Sequence, residues 1–400
     1  MHGSTWLNPG DTPTSELARF LPQIRRNSHD PDWLDDHADD LYGLISEHNR
    51  PQFVHEAATA LTLIARHFLY TPQRQRWEKL LDRQVLLLLN IGDEESIRRV
   101  RHEIGYYDMA GNRADAAKLS FERSLERTTD DNDRVEAYIN IVRAASLQPY
   151  TPNHSSYAAM LHFAAGTTNP YTRGLVYEAA AQYRIRQEES VQAAGFAQTA
   201  YAIWHSYYQR DIAKYGETTR DIHRHMGICL MLMTMCARVA QQTALMEHYL
   251  MDAIEHFKTQ PDKHHYWTAF YELGVLQQAR KNHAAAVESF ETVIAYAADV
   301  KMGAYVALAM YCRGVSLTHL AQYGRAEIML AGALERWQTA KDTANIANAE
   351  HATGFMYLKQ DNKDAATTWL YRAMRTAERV ETEPLRSNLI GRIEDDIKKL

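Results

Sequence analysis

Nineteen histidines and three cysteines are the side chains in this sequence best suited to hold a metal or attack a bond. Their spacing favours neither. In His223-Arg224-His225 and His264-His265, neighbouring imidazoles on a helix point about 100° or 200° apart, and no acid or cysteine recurs beside them at ligand spacing. Cys229, Cys236 and Cys312 form neither a zinc pattern nor a CxxC pair, which suits a reducing, cytoplasmic compartment. The paired acids Asp35-Asp36 and Asp395-Asp396 read as solvated faces. No GxxxxGK[ST], HExxH or GxSxG occurs, nor GxGxxG after a strand. The sequence therefore assigns no catalytic residue, metal ligand or cofactor. An enzymatic reading remains only as a hydrolase or lyase assembled by folding from distant residues.

The elements that position these side chains are helices. Glycine (18) and proline (11) make up about 7% of the 400 residues, against ~12% in ordinary chains, while the helix formers Ala, Leu, Arg, Gln, Met and Glu are plentiful. Apolar residues recur every three to four positions, as in Ala284 to Ala298, and no alternating β-branched run appears. An all-α fold follows. The longest apolar stretch, Met226 to Ala240, is interrupted by Thr234, Cys236 and Arg238 and falls short of the roughly 20 residues a membrane span requires. The first thirty residues lack the apolar core of an export signal.

The chain repeats itself. Gly274, Gly314 and Gly354 stand forty residues apart, followed by Ala286, Ala326 and Ala366, and four residues later by Phe290, Leu330 and Leu370. Gly105 with Ala117 and Phe121 fits this frame, as do Ala181 with Ala193 and Ala200, and Thr234 with Leu250 and Ala253; weaker copies centre on Ala65 and Ala145. A small residue in one helix admits its partner helix closely, and the bulky residue fills the seam between them. That pattern describes helical hairpins stacked in an array.

Leu273-Gly274 with Ala286 and Phe290, and Ile104-Gly105 with Ala117 and Phe121, resemble the tetratricopeptide repeat (TPR) pattern, though the early tryptophan and most terminal prolines are absent and the tyrosine after Gly is kept only at Tyr357. The long period is similar to arrays in bacterial signalling regulators and kinesin light chains. The resemblance implies a right-handed α-solenoid of seven or eight TPR-like helical hairpins over residues 55–380, after an N-terminal helical segment at 1–54 and before a capping helix at 384–400. Residues 1–50 carry nine acidic side chains against four arginines, which speaks against a nucleic-acid footprint.

Three irregularities mark places where function could sit. Tyr201, Trp204, Tyr208, Ile212 and Tyr215 line an overlong helix, expected at 193–215, that is either core or a partner or homodimer surface. Six of fourteen methionines fall between Met226 and Met251, as core or as an adaptable surface. Prolines in Gln148-Pro-Tyr-Thr-Pro-Asn153 and at Pro170 suggest a hinge over 148–170.

The resemblance places the first helix of each hairpin along a concave surface. Its expected lining is Glu178, Gln182, Arg186, Met231, Met235, Arg238, Tyr271, Gln278, Tyr311, His319 and His351. Amides, arginines, tyrosines and methionines suit an extended peptide or protein segment. A non-enzymatic regulator or adaptor binding a protein or peptide, with no nucleic acid or membrane partner, is the leading reading. A Rap-type peptide receptor acting on a response regulator is the alternative.

Overall fold

The computed structural model describes residues 15–400 apart from 29, 72, 127, 129–130, 146–153, 216–219, 259–263 and 300–302. The described residues are helical throughout, with no strand among them. None of these helices is long and apolar enough to cross a membrane. The chain divides into two compact units, residues up to 206 and residues from 207 on.

The first unit opens with α1 (Glu16–Asn27), α2 (Pro31–Asp36), α3 (Ala38–His48) and α4 (Val54–Ile64), continued by a 3-10 segment, Ala65–Tyr70. Then come α5 (Arg74–Ile91), α6 (Glu94–Ala110), α7 (Ala114–Leu125), α8 (Asp131–Ala145), α9 (His154–Gly166), α10 (Pro170–Arg186) and α11 (Ser190–Tyr215), whose residues from Tyr207 count with the second unit. Helix starts follow local chemistry. Ser15 Oγ accepts from Ala18 N at 2.9 Å and Asp93 Oδ1 from Ser96 N at 3.1 Å, satisfying amides that have no partner within the helix. Asn169 caps α10 just ahead of Pro170, which loses nothing in the first turn because its missing N–H has no partner there.

Leu17, Ile24, Leu41 and Ile45 share one core with Leu61, Ile64, Trp77, Val100 and Tyr107. The acidic N-terminal helices therefore pack on the start of the array through their apolar faces. The weak repeat centre at Ala65 falls where α4 ends in the 3-10 segment, and its carbonyl accepts from Tyr107 Oη at 2.7 Å. Of the proline-rich hinge, residues 148–153 lie outside the described residues, and α9 follows them.

The second unit contains α12 (Arg220–Val239), α13 (Thr243–Lys258), α14 (His264–Ala279), α15 (His283–Asp299), α16 (Gly303–His319), α17 (Tyr323–Ala340), α18 (Thr343–Lys359), α19 (Lys363–Ala377) and α20 (Leu385–Ile397). Helices α12 to α19 pair as four consecutive hairpins. In α20, Leu389 and Ile393 are buried against Ala347, Leu370 and Ala373 of the last hairpin, while Leu385 stays exposed. α20 thus covers apolar surface that the next hairpin of an array would otherwise cover.

Most hairpin turns share one backbone device. Asn112, Glu188, Gln241, Lys281, Ala321 and Asp361 all adopt positive φ, between 56° and 61°. The amide of the following residue reaches back five positions, as from Asn282 to the Gln277 carbonyl at 2.8 Å and from Gln322 to the Leu317 carbonyl at 2.9 Å. This is the Schellman closure, which satisfies carbonyls left open at the helix end. Four of these residues stand forty apart, yet none is glycine and no two share a side chain, so their types carry no turn signal.

Candidate binding surface on the first helices

Successive first helices are joined by polar side chains reaching from one hairpin to the next. In the first unit the centre of this network is Arg66. Its Nε donates to both Glu103 oxygens, at 3.0 and 2.9 Å, and its Nη2 lies 3.5 Å from Glu136 on α8. The guanidinium also stacks 4.2 Å from the Tyr106 ring centroid. Burial pushes the Glu103 carboxyl up, and the Arg66 charge offsets this only in part. For Arg66 itself burial works against the charge, but Tyr106 and Glu103 outweigh it and raise the guanidinium above its ordinary range.

Asn140 Nδ2 donates to His102 Nε2 at 2.8 Å and to Tyr106 Oη at 2.9 Å. Burial holds His102 down at about 4, with Glu136 opposing, so the ring is neutral, and in the tautomer with its proton on Nδ1 it accepts from Asn140 through Nε2. Further along, Arg98 bridges to Asp133 at 2.8 Å, and Arg143 to Glu178 at 2.7 Å. Apart from the contact of Arg66 with Glu136, seventy residues on, these links span 34 to 38 residues, and sequence reading missed all of them but Glu178. The one trace they leave is charge of opposite sign returning at roughly the repeat interval.

The predicted lining residues fare differently from one another. Glu178 is only 1% exposed and is occupied by Arg143, so it is a fastening within the unit and not an open contact. Gln182 is half-buried and Arg186 exposed at the end of α10. In the second unit Met231 is half-buried, Met235 is 40% exposed, and Arg238 pairs with Glu272 of α14. Gln278 Nε2 donates to the Cys312 carbonyl and to Ser316 Oγ, both at 2.7 Å, fixing α14 to α16. Tyr271 Oη lies 4.0 Å from Cys312 Sγ, and burial raises its pKa. Burial likewise raises Tyr311, with Arg392 of α20 acting against it.

His319 is exposed and stacks on His283, ring centroids 4.3 Å apart. His351 is buried, its Nε2 2.9 Å from Asp396 Oδ2. Expected as open lining, His351 is instead covered by α20, because a terminal helix packs where the next hairpin's first helix would otherwise lie. Asp396, read from sequence as solvated, is correspondingly buried.

The aromatic stripe of α11 divides in the same way. Trp204 is fully buried, edge-on to Tyr171 at 5.0 Å and packed over Gly174, where a β-carbon would come within 2.6 Å of its ring. It is core and does not belong to a partner surface. Tyr201 and Tyr208 are half-buried, and Tyr215 is 65% exposed. Among the clustered methionines, Met226, Met233 and Met246 are buried, leaving Met235 and Met251 exposed. An open recess of about 290 Å³ lies among α17, α18 and α19, lined by Gln338, Thr343, Ile346, Glu350, Arg372 and Thr376 together with Arg379; none of the candidate residues lines it.

No family model matches the chain, and no curated protein matches it. Solved structures do resemble it in fold. The apo form of RapI superposes with a TM-score of 0.59 at 11% identity, covering 76% of this chain and 86% of that one. A signal-transduction ATPase with numerous domains from Pyrococcus horikoshii, which carries a tetratricopeptide repeat sensor, gives 0.62 at 14% identity over 88% of this chain; the match spans 54% of that protein, about half its length. A Rap protein complexed with Competence and Sporulation Factor gives 0.50 at 13% identity, over 97% and 99% of the two chains. The chain has the all-helical repeat architecture of tetratricopeptide-type proteins.

Proposed function

We propose that this protein, built on a tetratricopeptide-type array, is a non-enzymatic regulator that binds a peptide or protein segment on the first-helix face of its second unit. One observation carries the reading. Met231, Met235, Tyr271 and Gln278 stand on the first helices α12 and α14, partly open to solvent, while Gln278 and Arg238 are fastened to the neighbouring first helices. A face held in place before its ligand arrives loses less entropy on binding. Thioether and phenol groups accept side chains of varied shape.

Selection of displayed twelve-residue peptides on the full chain tests this. Peptides so recovered should bind Met235→Glu and Tyr271→Ala variants at least tenfold more weakly. Equal binding to both variants would reject the face assigned here.

The N-terminal helices favour a narrower second reading, in which α1, α3 and α4, packed together on α5 and α6, engage a response-regulator partner while the second unit senses a peptide. A screen of phosphorylated response regulators in which the chain neither binds nor alters the lifetime of the phosphoryl group would remove it.

A further inference from the structure

Glu350 of α18 forms part of the wall of the 290 Å³ recess among α17, α18 and α19, and it is only 2% exposed. Both of its carboxylate oxygens are engaged: Arg372 Nε donates to Oε1 and Thr376 Oγ1 to Oε2, each at 2.6 Å. The Arg372 guanidinium also lies 4.9 Å from the centroid of the Trp369 ring. A buried carboxylate and an aromatic face thus hold one arginine in place before any ligand arrives.

That anchoring uses a single donor. The N–H groups on Nη1 and Nη2 of Arg372 have no hydrogen-bond partner among the described residues, and neither has the guanidinium of Arg379, which lines the same recess. The Gln338 amide and the Thr343 hydroxyl line it too and are likewise unengaged among these residues. Donors therefore gather around one open space, and the one acid on its wall is already satisfied.

Charge selects the class of ligand. Two guanidiniums against the carboxylate of Glu350 leave a single positive charge on the wall. Glu327 and Glu335 line a smaller recess of about 150 Å³ that shares Gln338 with the first, so a second negative charge on a ligand would meet carboxylates on two sides. A guanidinium fork matches a carboxylate through two parallel N–H···O bonds. The volume suits a small molecule, since such sites start at about 300 Å³.

We propose that Arg372 and Arg379 bind a small molecule carrying one carboxylate, seated between the second helices α17 and α19, with Glu350 as the positioning residue for Arg372. The site shares no residue with the first-helix face, so either can fail without the other.

The probe is 4-fluorobenzoate, titrated into the full chain and followed by fluorine NMR beside its uncharged amide and 4-fluorophenyl phosphate. The carboxylate should bind with a dissociation constant of about 1–10 mM, as partly exposed charge pairs allow, and at least about fivefold more tightly than either of the others. Arg379→Ala removes an exposed side chain and strands no partner, so the fold is kept, and it should weaken binding about fivefold to tenfold. Arg375→Ala, which removes an exposed arginine of α19 outside the recess, should leave binding unchanged. A second measurement needs no variant: in the unmodified chain the probe should shield Arg379, but not Arg375, from phenylglyoxal. Tighter binding of the phosphate, equal losses in the two variants, equal labelling of the two arginines, or no saturation below ~50 mM would overturn the site.

Discussion

Gly274 and Phe290 are sixteen residues apart and touch across one hairpin: a β-carbon on Gly274 would lie 2.7 Å from Cε1 of the Phe290 ring, which is fully buried. The same relationship joins Gly105 to Phe121, Gly314 to Leu330 and Gly354 to Leu370. The glycine is there for close approach of two helices, since its backbone is ordinary α-helix.

Gly274→Ala should therefore destabilise the chain by about 1–2 kcal/mol, overpacking outweighing the gain in helix propensity. Gly195, exposed on α11 with nothing within 4 Å of a built β-carbon, supplies the control. Gly195→Ala should stabilise by about 0.5–1 kcal/mol. Urea unfolding of the two variants should move in opposite directions, and a shift of the same sign in both would refute the close-packing account.

Ala321 holds φ of 56° at the turn between α16 and α17. A β-carbon in that region costs roughly 1–2 kcal/mol, less the entropy that glycine loses on folding. Ala321→Gly should raise stability by about 1 kcal/mol, seen as a higher melting temperature with unchanged circular dichroism.

Arg66→Ala strands Glu103, which is 3% exposed and loses both charged hydrogen bonds. Because the Arg66 side chain is itself 48% exposed, the expected loss is about 2–3 kcal/mol, at the lower end for a broken buried pair. Replacing both partners, Arg66→Met with Glu103→Leu, should recover most of it. A double variant less stable than Arg66→Ala alone would show that the pair contributes more than charge compensation.

His102 sits at about 4 in the fold against an ordinary 6.5. Its folded pKa is depressed, so the unfolded chain takes up the proton first. The stability it contributes is complete above about pH 6.5, declines as pH falls toward about 4, and is lost below that, a difference of up to about 3 kcal/mol. His102→Gln, which keeps an acceptor for Asn140, should unfold with a shallower pH dependence across that window. Identical slopes in the two proteins would place the titrating group elsewhere.

The all-helical array was legible in the sequence because its signal is short-range and repeated. Small residues must stand where two helices of one hairpin meet, and that requirement returns at 274, 314 and 354 with a bulky residue sixteen positions on. The apolar stripe of α20 was equally legible, through Leu389 and Ile393. The turn device was not, since Gln241, Lys281, Ala321 and Asp361 share a backbone angle and no side-chain chemistry.

The candidate surface was legible only in part. Helical position says which side of a helix a residue occupies, and Met235, Tyr271 and Gln278 are each at least partly exposed. What lies over that side depends on another helix more than thirty residues away. Only folding decided that Glu178 is taken up by Arg143, that His351 is covered by Asp396, and that His223 meets His256 instead of its near neighbour His225. Hydrophobic packing repeats because every hairpin must bury the same kind of seam, whereas each polar contact between hairpins is made once, by whichever two side chains the stacking brings together.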